Sequence, residues 1–105
     1  MATGEIIELL KNYIILLNDE GISVKKAFLF GSYSKKTATE NSDIDVMIVS
    51  DNYDENDDLA IGKAWRLTRL LNTKIEPFLI GTNKFDNDNS SPLISMIKSE
   101  GIEIV

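Results

Sequence analysis

"FLFGSYSKKTATENSDIDVMIV", residues 28–49, decides how this chain folds. Two apolar runs, Phe28–Phe30 and Val46–Val49, flank a polar connector. Gly31 and Ser32 stand where the connector begins. Asp43 and Asp45 stand where it ends, with only Ile44 between them. Ile44 and residues 46–49 are apolar almost without alternation, as expected of a strand covered on both faces. Two acids at the mouth of a buried strand need a reason.

Outward from this stretch the pattern is regular. Residues 4–20 carry Ile6, Leu9, Leu10, Tyr13, Ile14 and Leu17 at helical spacing. Thr3 is the expected N-cap, and Gly21 can close the helix in a left-handed conformation. Residues 25–30 and 43–50 read as strands. The acidic run 51–58 leads into a helix of about four turns carrying Leu59, Ile61, Trp65, Leu67, Leu70 and Leu71. Residues 74–80 read as a third strand, which Pro77 places at an edge or a bulge. Residues 81–92 read as a turn-rich connector. Pro92 opens a helix that stops at Gly101, and "IEIV" is a short last strand. The expected architecture is one α/β (α+β) domain over residues 1–105, a mixed three- to four-stranded sheet with helices packed on it.

Topology brings the motifs together. The second and third strands are joined through a helix and read as parallel. The first and second are joined only by the connector and read as antiparallel neighbours. Gly31 and Ser32 then meet Asp43, Asp45 and Glu76 at one edge of the sheet.

The chemistry follows from the residue types. Side chains two apart on a strand share a face, about 6–7 Å apart along it. Crowded carboxylates repel, and one takes up a proton unless a cation lies between them. Three carboxylates can hold a metal pair about 3.5–4 Å apart, which suits phosphoryl or nucleotidyl transfer. A glycine after a strand allows close backbone approach, and a short helix starting at Ser32 would offer free N–H groups to an anion. Lys35 and Lys36 add positive charge. Alone, a D-x-D pair or a Gly-Ser pair is commonplace, and Glu76 reads equally as an exposed edge residue. The spacing that joins them carries the argument.

Composition removes the competing classes. The chain has 105 residues, no cysteine and no histidine. Disulfides, thiolate or imidazole zinc sites and Ser-His-Asp catalysis are excluded within it, and a metal must be held by oxygen, as magnesium is. A formal net charge of -6 argues against binding a nucleic-acid backbone. No apolar stretch reaches the length of a membrane span and no signal peptide is recognised, so a cytoplasmic protein is expected.

"GSYSKKTATENSDIDVMIV" resembles the signature of the nucleotidyltransferase fold shared with DNA polymerase beta, and above all the minimal stand-alone nucleotidyltransferase domains of prokaryotes. Gly31, Ser32, Ser42, Asp43, Ile44, Asp45 and Val46 match it, and "KIEP" at 74–77 matches a branch with an acidic residue before proline. The resemblance implies that Gly31 and Ser32, with Lys35 and Ser42, bind the nucleotide, and that Asp43, Asp45 and Glu76 hold two magnesium ions. Glu76 would also help deprotonate the attacking hydroxyl. The reaction would pass a nucleoside monophosphate, AMP from ATP, to an acceptor. The resemblance also implies a small helical partner, a ribonuclease toxin that such a domain neutralises as antitoxin, by adenylylating a tyrosine or by contact. A binding module or regulatory subunit that acts by contact alone is the alternative. Lys36 stands where the family has glycine; a positive φ there would cost about 1 kcal/mol.

Other features have plainer readings. Trp65 is expected in the core, with a partner interface as the second reading. Tyr33 is placed beside the nucleotide or in the core. The runs 51–58 and 86–92 lack the glycine of a calcium loop and read as solvated turns.

Overall fold

The computed structural model describes residues 1–54 and 56–105; Glu55, inside the acidic run, lies outside the described residues. The elements run α1 (Thr3–Asp19), β1 (Val24–Phe30), β2 (Ile44–Ser50), α2 (Asp58–Thr68), β3 (Ile75–Gly81), α3 (Thr82–Asn87), α4 (Pro92–Glu100) and β4 (Ile102–Glu103). The sheet order is β3-β2-β1-β4. β2 pairs antiparallel with β1 and parallel with β3, and β4 pairs antiparallel with β1.

Alternation along the strands sorts two cores. Ala27, Leu29, Ile44, Val46, Ile48 and Ile75 pack on one face against Ile6, Leu10, Leu17, Ala64 and Leu67 of α1 and α2. Phe28, Phe30, Met47, Val49 and Ile80 pack on the other against Phe85, Ile94 and Ile97 of α3 and α4. Full burial of each valine, leucine, isoleucine, phenylalanine or methionine among them contributes about 1.5–3 kcal/mol. Because β2 is covered on both faces, its near-continuous apolar run is explained. Tyr13 donates its hydroxyl to the Ala64 carbonyl at 2.6 Å, fixing α1 on α2.

Several boundaries differ from the expectation. Ala2, not Thr3, is the N-cap of α1, and Glu5 Oε1 accepts from the Ala2 N–H at 3.2 Å. Gly21 has φ +92 and ends α1 as expected. α2 is 11 residues long, closer to three turns than four. The connector 81–92 contains α3, a six-residue helix. Its only buried anchor is Phe85, stacked on Phe28 with centroids 5.3 Å apart. One apolar residue leaves no periodicity to read. Pro77 lies on an edge strand, where a missing N–H costs least.

Candidate active site

Three strands meet at one level. Phe30, the last residue of β1, is opposite Asp45, and Asp45 is opposite Glu76. Asp43 lies just before β2. Ile44 is fully buried among the α1 and α2 side chains. Strand alternation therefore directs Asp43 and Asp45 toward the opposite face, the one that Glu76 shares. The three predicted carboxylates thus converge.

Their electrostatics record the crowding. The Glu76 carboxyl is held above its ordinary range, by desolvation first, then by the Asp43 and Asp45 charges and by hydrogen bonds with both. Asp45 is also raised, by desolvation first and by the Asp43 charge, while its hydrogen bond with Glu76 acts in the opposite sense.

Gly31 is fixed by this pair. It has φ +75, and a Cβ built there would overlap Asp45 Oδ2 and stand 3.4 Å from its Cγ. Only a hydrogen at this position lets the Asp45 carboxyl lie against the backbone. The sequence argument assigned the glycine to ligand approach; the nearest group is this carboxylate.

No helix begins at Ser32. Residues 31–36 form one hydrogen-bonded turn, with Lys35 N–H donating to Gly31 O at 3.1 Å and Thr37 N–H to Ser32 O at 2.9 Å. The second bond is the 6→1 link that closes helices through a left-handed residue. That residue is Lys36, at φ 60, the one non-glycine residue at positive φ among those described. The amides of Ser32, Tyr33 and Ser34 open the turn and donate to no group among the described residues.

The other named residues fall in distinct places. Ser32 is half-buried beside Gly31, and Lys35 is exposed on the turn. Ser42 Oγ accepts from Thr39 N–H at 2.8 Å and so braces the connector. Lys74 Nζ ties the same connector to β3 through the Glu40 carbonyl. Tyr33 is buried in the α1–α2 core, not at the surface of the turn. Trp65 is 43% exposed, contrary to its expected burial, because Ala64, Leu67 and Thr68 face the sheet and turn it outward.

The sequence reading missed an apolar cleft of about 250 Å³ on the carboxylate face. Met47, Phe78, Ile80, Leu93 and Ile94 line it, with Lys84 and Ser91. Met47 and Phe78 are the register pair two residues along from Asp45 and Glu76. Phe78 meets Phe30 edge-on at 5.3 Å. The alternation of Glu76 and Phe78 was the available signal.

The donor set suits a hard divalent cation, since oxygen ligands that compete for a proton gain most from one. Among the described residues, no three side chains are already disposed as a metal cage. Fit therefore rests on the chemistry of the donors. No helix among the described residues is long and apolar enough to cross a membrane.

Comparisons with known proteins bear on the family and the fold. The family model described as "Nucleotidyltransferase domain" matches residues 10–100. A structure reported for a proposed nucleotidyltransferase from Sulfolobus solfataricus superposes with TM-score 0.62 at 15% identity, over 81% of this chain and 75% of that one. A toxin–antitoxin structure with AMP-PNP gives TM-score 0.59 at 25% identity, over 90% of this chain and 71% of that one. A mutant of the toxin–antitoxin MntA-HpeT gives 0.54 at 20% identity, over 100% and 73%. No curated protein matches the chain. With the family model spanning most of its length and the fold shared with these structures, the chain belongs to the nucleotidyltransferase domain family.

Proposed function

We propose that this protein is a magnesium-dependent nucleotidyltransferase that passes AMP from ATP to a hydroxyl of a partner protein or small acceptor, as the antitoxin of a toxin–antitoxin pair. One observation carries the reading: Gly31, Asp45 and Glu76 are brought to one level of the sheet, with carboxyls that compete for a proton. Structural likeness to a toxin–antitoxin solved with AMP-PNP supports the nucleotide and the setting.

In this reading Asp43, Asp45 and Glu76 hold the metal pair. When bound, the metal supplies charge neutralisation at the phosphates and at the attacking oxygen. The free amides of the Gly31–Lys36 turn, with Lys35, receive the triphosphate. The acceptor enters from the β3 side, across the sheet from Gly31, where the cleft beside Phe78 leaves room for its body. Glu76 takes the proton of the acceptor hydroxyl. The hydroxyl oxygen bonds to the α-phosphorus, the bond to the bridging oxygen breaks, and pyrophosphate leaves.

Lys36 at φ 60 favours a second reading. A strained turn without the family glycine suits a fold kept for contact, neutralising a helical ribonuclease toxin without chemistry. The discriminating experiment incubates the protein and Asp45→Asn with magnesium, ATP labelled at its α-phosphate, and extract of its native cells. Label transferred to a protein by the wild type and not by Asp45→Asn supports the enzyme. No transfer, with toxicity still neutralised by Asp45→Asn, supports contact alone.

A further inference from the structure

The solvent side of α2 is built like half of an interface. Ala64, Leu67 and Thr68 of this helix are buried. On its other side Leu59 is 84% exposed and Trp65 43%, and Leu70, in the turn that continues the helix, is 69% exposed. A helix lying on a sheet normally turns polar residues outward. Gly62 sits between these apolar residues, and a Cβ there would meet only Arg66 Nη1, at 3.4 Å. It forms a shallow notch one turn before Trp65 and Arg66. Asp58 is exposed at the helix start and Arg69 at its end, and neither is in an ion pair among the described residues.

Asp58 and Arg69, and Gly62 and Trp65, are each equidistant from a point between Lys63 and Ala64, near the middle of the helix. When a second α2 is laid antiparallel across that point, Gly62 faces Trp65 of the other copy. Asp58 faces Arg69, and Leu59 meets Leu70 and the Arg66 stem. Each contact then occurs twice, as a two-fold interface requires. A parallel arrangement would set arginine on arginine.

We infer that two copies of this chain associate through antiparallel α2 helices, each Trp65 seated on the other copy's Gly62. Charge complementarity between Asp58 and Arg69 sets the register. An 11-residue helix spans about 16 Å, so the contact is small and the dimer weak and reversible. α2 packs on the sheet face away from the carboxylates, so both copies keep that face open.

Sedimentation velocity of the full chain from about 1 µM to about 1 mM tests this. The expected result is a reversible monomer–dimer equilibrium, with emission of the single tryptophan shifting to the blue as dimer forms. Asp58→Arg or Arg69→Asp weakens association about tenfold, and the double exchange restores it. Gly62→Leu fills the notch and abolishes association while circular dichroism keeps its helix content. A wild type that stays monomeric throughout overturns the inference. So does a dimer indifferent to Gly62→Leu, or a double exchange that restores nothing.

Discussion

Gly31→Ala tests whether the glycine exists for the carboxylate beside it. Alanine at φ +75 carries left-handed strain of about 1–2 kcal/mol. Its methyl overlaps Asp45 Oδ2, so that carboxyl must swing by about 1 Å. Turning it off its rotamer costs about 0.5–1.5 kcal/mol. Against both, alanine restricts the unfolded chain and returns about 0.4–1 kcal/mol. The net loss is about 1–3 kcal/mol, or a Tm lower by roughly 5–20 °C for a domain of this size. Strain and overlap separate in a double-mutant cycle with Asp45→Ala, measured by urea unfolding. In that background the overlap with the carboxyl is gone, and Gly31→Ala should cost about 0.5–1.5 kcal/mol less. Equal cost in both backgrounds would refute the argument, because the glycine would then serve the turn alone.

Further expectations concern the same site. Lys36→Gly removes left-handed strain of about 1–2 kcal/mol and adds about 0.5–1 kcal/mol of chain entropy, so thermal unfolding should show net stabilisation of about 0.5–1 kcal/mol. Asp45 and Glu76 are raised, so the folded state holds a proton that the unfolded state releases first. Stability should therefore fall as pH rises from the ordinary carboxylate range through the raised values, then level off, and Glu76→Gln should flatten that fall. Magnesium binding should release protons, seen as heats that depend on buffer ionisation, and its stabilisation should be larger above the raised values than below them. Tyr13→Phe, which removes the donor to the Ala64 carbonyl, should cost about 1 kcal/mol in urea unfolding with no effect on nucleotide binding.

What the sequence revealed tracks the range of the forces involved. β2 was legible because burial on both faces writes a continuous apolar run, and the D-x-D pair interrupts it where the strand begins. The convergence of Gly31, Asp45 and Glu76 was legible because short connections leave few topologies. The left-handed Lys36 was legible only through the resemblance, which sets a glycine at that position. α3 was not, since a single phenylalanine anchors it. Trp65 misled because apolar spacing cannot say which flank of a helix meets the sheet. The Asp45–Gly31 contact and the mutual influence of Asp45 and Glu76 were hidden because both depend on distances across strands far apart in sequence.

The central claim is that the carboxylates beneath the Gly31 turn bind a metal-nucleotide. It is tested most directly by calorimetric titration with ATP, with and without magnesium, on the wild type and on Asp43→Asn/Asp45→Asn. The account predicts magnesium-dependent binding by the wild type that the double variant loses while remaining folded. Binding that is unchanged in the double variant, or no binding by the wild type, would contradict it.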